Sequence, residues 1–312
     1  MTSYAGRLFA FLVAATALDA CAGRGATPVV PLQAQTGSAL RQTATRSTDS
    51  GQFLFLSHYA FPSGGVSEFR LPIHDHERAT ARAGGMRQPA AVTADARHLY
   101  VGSYNVGTIY TYDLPLTKHA TPELFSAPTG VSGLACSGRY IYVAQPSGVL
   151  EYRLPLVAGE KPSGQIGGYG SDFIGLAARN GTLFVASSIE GTVSGYHLPL
   201  RHAPPYFTIQ MKPEIDSSVR LVVGLDGTDL YVARTWDSNV YDFRLPYHAN
   251  EVPTIVSLGW SNYAGGLGVS HDHIFVTVGK EVRAYPLPLF PFSAPDASMD
   301  LPYDGGALSI SE

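Results

Sequence analysis

Residues 97–115 read Arg97-His98-Leu99-Tyr100-Val101-Gly102-Ser103-Tyr104-Asn105-Val106-Gly107-Thr108-Ile109-Tyr110-Thr111-Tyr112-Asp113-Leu114-Pro115. Two short runs, Leu99–Gly102 and Thr108–Tyr112, are built from β-branched and aromatic residues and are separated by a polar, Gly-containing turn. That pattern predicts a β-hairpin. Leu114-Pro115 marks where the second strand stops, because proline has no N–H to give to a ladder.

The stretch is one copy of a repeat. An aromatic residue, one variable residue and Leu-Pro recur six times: Phe69–Pro72, Tyr112–Pro115, Tyr152–Pro155, Tyr196–Pro199, Phe243–Pro246 and Tyr285–Pro288. The leucines are 43, 40, 44, 47 and 42 residues apart. A period of ~40–45 residues that carries only strand signals has the length of a propeller blade, a four-stranded antiparallel sheet. A buried-type strand precedes each motif: Phe53–Leu56, Leu99–Gly102, Ile141–Ala144, Leu183–Ala186, Leu230–Ala233 and Ile274–Thr277. The innermost strand reads Pro89–Val92, Gly133–Ala135, Gly175–Ala177, Gly224-Leu225 and Gly266–Val269, and its sixth copy stands at the far end, Gly305–Ile310. The expected fold is therefore all-β: a six-bladed β-propeller with four antiparallel strands per blade, its ring closed by the C-terminal strand completing the first blade.

Composition agrees. Among 312 residues there are 33 Gly and 22 Pro, and only 15% are charged, against ~25% in an average soluble protein. Helical bundles and coiled coils are excluded by that balance. A hydrophobic fraction of 45% with 18 Tyr and 14 Phe excludes wholesale disorder. The net charge of −4 offers no electrostatic footprint for nucleic acid.

The N-terminus reads as an address. Residues 1–21 carry Arg7, an apolar run from Leu8 to Leu18 and then small residues, the pattern of an export signal. Such a run rises only ~16 Å as a helix, about half of the hydrocarbon core of a bilayer. Leu18-Asp19-Ala20-Cys21 resembles the lipobox of bacterial lipoproteins, with Cys21 as the lipidated residue, although Asp19 departs from the pattern. Cleavage after Ala22 is the competing reading. Residues 22–51 hold no aromatic residue and are expected to form a flexible tether, leaving 52–312 for the propeller. The expected location is the bacterial cell envelope or the exterior, with membrane contact through the lipid alone and the protein monomeric. Cys136, in an apolar strand, is expected to be a buried thiol outside any disulfide.

The segment Arg97–Tyr112 resembles the repeat of YVTN, NHL and lactonase-like propellers, with an innermost Gly-Leu-Ala strand, then Leu-Tyr-Val-Ala, a polar turn and Gly-Thr-Val-x-x-Tyr. The likeness spans about 260 residues through motifs that are structural. Gluconolactonase and regucalcin-type propellers have six blades and hold a divalent metal at the channel. No contiguous motif of theirs occurs here, so none of their residues is carried over.

Propeller ligands usually meet the face formed by the blade-to-blade links and the turns between second and third strands. There the sequence places Tyr104, Asn105, Asp172, Arg234, Trp236, Asp237, Trp260, Asn262, Tyr263 and Asp304. Trp, Tyr and Arg on loops of a rigid scaffold are typical of binding surfaces, so a small molecule or a protein is the expected ligand. Blade-to-blade packing of the same rings is the alternative. A lactonase-like, metal-dependent hydrolase would instead draw Ca or Zn ligands from Asp172, Glu190, Asp237, Asn262 and Asp304; the leading expectation is a non-catalytic binding or scaffold module without a cofactor. His74-Asp75-His76 and His271-Asp272-His273 are identical triplets, expected at separate positions on the opposite face. No Gly-x-Ser-x-Gly, His-Glu-x-x-His or phosphate-binding Gly-rich loop is present in the sequence.

Overall fold

The computed structural model describes residues 52–58, 64–75, 77–128, 130–167, 174–211, 219–223, 227–234, 239–248, 252–257, 264–290, 293–301 and 305–311. All of them belong to one compact unit, Arg46–Glu312. They form six four-stranded antiparallel sheets. The first blade consists of β1 (Phe53–His58), β2 (Gly64–Arg70), β3 (Ala81–Met86) and, on its inner side, β24 (Gly305–Ile310) from the C-terminus. The first and last strands thus close the ring within one sheet, as the repeat count requires. Blades 2 to 6 each take four consecutive strands. Their inner strands are β4 (Pro89–Ala94), β8 (Gly133–Ser137), β12 (Ile174–Arg179), β16 (Val219–Val223) and β20 (Ala264–Val269).

Second strands β5 (His98–Ser103), β9 (Tyr140–Gln145), β13 (Thr182–Ser187), β17 (Asp229–Arg234) and β21 (His273–Val278) share with β1 one pattern, a half-buried first residue and five buried ones. Packing on both faces explains why these strands are continuously apolar rather than alternating. Six hydrophobic clusters fill the seams. One joins Phe55 and Val66 of blade 1 to Leu99, Val101 and Tyr112 of blade 2, and another joins Leu54, Leu56 and Phe69 to Phe275, Val282 and Met299 of blade 6. The core lies between blades, not within any one of them.

The repeat motif has a defined job in this packing. Its aromatic residue is buried in all six copies, while the variable residue after it (Arg70, Asp113, Arg153, His197, Arg244 or Pro286) is exposed. Third strands end at that variable residue, and each following Leu-Pro bond is cis. The leucine N–H then bonds back to the carbonyl preceding the second strand, as in Leu114 to Arg97 at 2.7 Å and Leu154 to Arg139 at 2.9 Å. One correction concerns blade 5. Its inner strand is Val219–Val223, with Leu221 opposite Val232, so Gly224-Leu225 is not the inner-strand copy. The dipeptide imitated the repeat but follows the strand, and it lies outside the described residues.

Two buried carboxylates tie blades together. Glu68 and Glu151, each 2% exposed, stand immediately before the motif's aromatic residue. Glu68 accepts the Thr80 hydroxyl at 2.9 Å and the Leu116 N–H of the next blade at 3.0 Å. Glu151 repeats the arrangement with Ser163 at 2.8 Å and Leu200 N–H at 2.8 Å. Asp242 occupies the same place in blade 5 with a side chain one methylene shorter. Burial, then the neighbouring Asp229, pushes its carboxyl up to about 6 against the opposing pull of Arg244. Glu151→Ala leaves the buried Leu200 N–H without its carboxylate acceptor and removes the charge-assisted bond from the Ser163 hydroxyl, which together cost about 3 kcal/mol. For a domain of this size the melting temperature is expected to fall by about 6–12 °C. Glu123→Ala, at an exposed outer-strand position, is expected to stay within ~0.5 kcal/mol of wild type. Calorimetry on the two variants checks the contrast.

Candidate functional site

Each inner strand pairs on one side only, so its other edge faces the axis, and the inner strands together wall a channel. They run from an upper face, carrying the blade links and the second-to-third turns, to a lower face carrying the first-to-second hairpins and the Leu-Pro motifs. At the upper end the backbones converge. Val92, Leu134, Leu176, Leu267 and Leu308, one from each of five blades, form a collar around the axis, with a space of about 50 Å³ above it. A Cβ built on Gly266 would stand 2.5 Å from the Gly306 carbonyl oxygen and 2.7 Å from Leu308 N. Gly265 and Gly133 are equally close to the backbones of Gly305 and Ile174. Glycine is needed there because strand meets strand without room for a side chain.

Below the collar the channel widens into a cavity of about 400 Å³. Ala94, Ala178, Val269 and Ile310 contribute apolar wall, while Thr93, Asp95, Cys136, Ser137, Arg179, Asn180 and Ser309 contribute polar groups. The hairpin turns set this lower rim. Asn180 and Gly181 have φ of +49° and +77°, as a two-residue turn with left-handed central residues demands.

The titratable groups of the wall are held in fixed states. Asp95 accepts the N–H of Arg97 at 2.7 Å, the N–H of His98 at 2.7 Å and the Tyr100 hydroxyl at 3.1 Å. Burial alone would raise its carboxyl; these donors and the His98 charge outweigh burial and hold it below the usual carboxylate range. Burial pushes the Cys136 thiol well up, with only a hydrogen bond from Thr93 opposing. Cys136 is a free, half-buried thiol. Arg179, half-buried, is the one cation among the described lining residues.

The upper face is described in part. Tyr104 is half-buried and its N–H bonds to the Gln88 carbonyl at 3.1 Å, whereas Asn105 is exposed. Arg234 is 5% exposed, at the end of β17. Asp172, Trp236, Asp237, Trp260, Asn262, Tyr263 and Asp304 lie outside the described residues, as does Cys21. Glu190 is exposed, its carboxylate 3.4 Å from the Thr192 hydroxyl that donates to it. Among the described residues no three His, Cys, Asp or Glu side chains converge as a metal site.

A pattern not foreseen runs beneath this face. The last residues of the second strands in blades 1 to 5 are His58, Ser103, Gln145, Ser187 and Arg234, all buried. Ser103 bonds to the Arg87 carbonyl, Ser187 takes the Glu190 N–H at 3.2 Å, and His58 Nε2 meets the Ser67 hydroxyl. The polar residue closing each apolar run was the available signal. Burial, then the positive charge of Arg82, lowers His58 to about 4. The unfolded chain titrates this ring near ~6.5. His58 therefore favours the native state fully above ~6.5, and that contribution is lost as pH falls toward 4, by up to about 3 kcal/mol. His58→Gln is expected to flatten the urea midpoint between pH 6.5 and 4.5; an unchanged slope would show that another group sets it.

On the lower face, both histidine triplets approach one segment of blade 6. Asp75 accepts the Ser298 N–H at 3.4 Å, and His273 Nε2 lies 3.0 Å from Asp296. His76 is outside the described residues.

The chain matches no family model and no curated protein sequence. Solved structures do match. A chain in the crystal structure of a nidogen/laminin complex aligns with a TM-score of 0.63 at 10% identity, over 83% of this chain and 98% of that one. The WD40 β-propeller domain of Doa1 aligns with a TM-score of 0.45 at 13% identity, over 64% and 66%. The nidogen/laminin likeness, at 10% identity, speaks to fold alone, and together with the six sheets it makes this chain a six-bladed β-propeller.

Proposed function

We propose that the chain is a non-catalytic binding module that takes its ligand in the axial channel, exported and anchored to the cell envelope through Cys21. The observation that carries the channel reading is the cavity of about 400 Å³, narrowed above by the collar and the glycine contacts. Pockets of this size suit small molecules. Its wall supports binding rather than chemistry: Asp95 is saturated by three donors and Cys136 is held as a thiol. The lipobox resemblance at Leu18–Cys21 supports the anchor, since several acyl chains give stable attachment where one does not.

Native mass spectrometry of the full chain isolated from its own envelope tests both parts. A bound small-molecule adduct is expected in wild type and absent from Ser137→Trp, which places an indole at the cavity rim. No adduct in wild type would count against the channel reading. Cys21→Ser is expected to lose the acyl mass and leave the membrane fraction; unchanged partitioning would remove the anchor.

A protein partner on the upper face is a second reading. Val106 and Ile189, at 41% and 51% exposure, project from two turns there, and the nidogen/laminin neighbour comes from a complex of proteins. Val106→Asp with Ile189→Asp is expected to release such a partner without changing melting temperature.

A further inference from the structure

We propose that the folded propeller itself rests on a lipid bilayer by its lower face, with Val157, Tyr206, Val252 and Phe290 entering the headgroup region. This contact is additional to the Cys21 anchor, and rests on that reading only for the choice of a bilayer over a soluble partner.

The links from third to fourth strands lie on this face. In each of them the residue just after Leu-Pro (Ile73, Leu116, Leu156, Leu200, Tyr247 or Leu289) is buried or half-buried, and the residue after that is exposed. In blades 3 and 6 the exposed residue is Val157 and Phe290. Each opens a turn closed by the backbone: the Glu160 N–H bonds to the Val157 carbonyl at 3.0 Å, and the Ser293 N–H to the Phe290 carbonyl at 2.9 Å. The Ser293 hydroxyl also takes the Phe290 N–H at 2.9 Å. Leu289 already fills the seam and the backbone beyond it is tied, so the Phe290 ring is held outward. Tyr206 and Val252 come from the far ends of the links in blades 4 and 5. The Tyr206 ring stacks on His197 with centroids 4.1 Å apart, and its hydroxyl meets that of Thr182 at 3.1 Å, which fixes it at the lower end of its blade. The four side chains are between 47% and 83% exposed, and they are half of the large apolar side chains exposed among the described residues. Equivalent links of a ring repeat stand at one level along the axis, so side chains from blades 3 to 6 can meet one flat surface together.

Charge and connectivity name a bilayer as that surface. Arg153, Lys161 and Arg201, on blades 3 and 4, are exposed on the same face, against the acids Glu160 and Asp296 of the described links. Cations set among aromatic and aliphatic side chains suit an interface where phosphates overlie acyl chains. The chain also enters the propeller here. Phe53 opens β1 opposite the exposed Arg70, and the Gln52 carbonyl takes the Leu71 N–H at 3.0 Å. Residues 22–51 thus join Cys21 to the propeller at this face and not at the upper one.

The test uses the full chain with Cys21→Ser, so that no acyl chain contributes, and vesicles of phosphatidylcholine and phosphatidylglycerol. A polarity-sensitive dye on Phe290→Cys is expected to shift to the blue on vesicles, while the same dye on Val106→Cys, on the upper face, keeps its emission in water. Cys136→Ser in both chains confines the label to one position. In the chain labelled at Phe290→Cys, Val157→Asp with Val252→Asp is expected to raise the lipid concentration at half-shift at least tenfold, and Val106→Asp with Ile189→Asp to leave it unchanged. All of these positions are exposed, and a melting curve on each variant confirms that it is folded. Equal emission from the two labels on vesicles overturns the bilayer contact. So does a wild-type dimer that the lower-face exchange dissolves without any binding to vesicles, which would give the surface to a second copy of the chain. A chain never acylated at Cys21 that still shows the shift at Phe290→Cys removes the anchor and leaves this contact; an acylated chain whose label stays in water does the reverse.

Discussion

A chain that stops at Asp304 is expected to lose its cooperative melting transition, or to melt at least ~15 °C below the full-length protein. The missing residues are β24, the inner strand of blade 1 and the one strand of that blade not contiguous with the others. It pairs with β1 from Leu54↔Ile310 to His58↔Gly305. The strand is locked at both ends. Ser311 N–H reaches the Phe53 carbonyl at 2.9 Å and the Ser311 hydroxyl takes the Phe53 N–H at 2.8 Å. Toward the upper end the Ala307 N–H bonds to the Ser57 hydroxyl at 2.9 Å, and Thr277 of blade 6 donates to the Gly306 carbonyl at 3.3 Å. Leu308 and Ala307 belong to the seams on either side of blade 1. Their removal uncovers Leu56 and Phe55, both 0% exposed. Apolar burial at ~25 cal/mol per Å² and the lost ladder together exceed about 5 kcal/mol, a large share of a domain's net stability. The truncated ring also presents β1 as an unprotected apolar edge, which favours aggregation. Calorimetry with light scattering measures both effects, and a synthetic peptide of residues 305–312 is expected to restore part of the transition. A truncated chain that melts within a few degrees of wild type would mean that closure does not depend on the C-terminal strand.

Much of this architecture was legible because the repeat is a packing unit. Phe69, Tyr112, Tyr152, Tyr196, Phe243 and Tyr285 recur where each third strand meets the next seam, and the missing first inner strand reappears as Gly305–Ile310. Blade 5 departed because a dipeptide is too little to fix a register: Gly224-Leu225 matched the pattern while ladder pairing selected Val219–Val223. Glu68 and Glu151 carry no sequence signal of their role. An acid beside a buried aromatic residue in a strand ordinarily points to solvent, but here both faces of the strand are covered, and the acid is kept by donors from the adjoining blade. Site legibility was poorer still. Loops rich in Trp and Tyr drew attention to the upper face, whereas the cavity walls are Ala, Leu, Val and Ser with no distinctive spacing. Arg179 reads in sequence as the residue before an Asn-Gly turn. Only the convergence of inner strands from separate blades reveals that it lines the channel.

Those converging strands give the second large effect. Gly266→Val is expected to destabilise the protein by at least ~3 kcal/mol, lowering the melting temperature by about 6–12 °C. The residue sits on β20, opposite Thr277, beside a register shift between Ala264 and Gly266. Its would-be Cβ points at the backbone of β24, at Gly306 O and Leu308 N. A flexible side chain could swing away from such a contact, but a paired strand cannot. The ring would have to open at the blade 6 to blade 1 seam, beside the strand that closes it. Gly84→Ala is the control: a Cβ there has no neighbour within 4 Å and the backbone is not left-handed, so the change is expected to cost less than ~1 kcal/mol. Urea unfolding of the two variants separates a general intolerance of glycine exchange from a specific demand for contact at the axis. Equal losses at Gly84 and Gly266 would contradict the narrowing of the upper channel by backbone contact, and with it the reason the channel opens on the lower face.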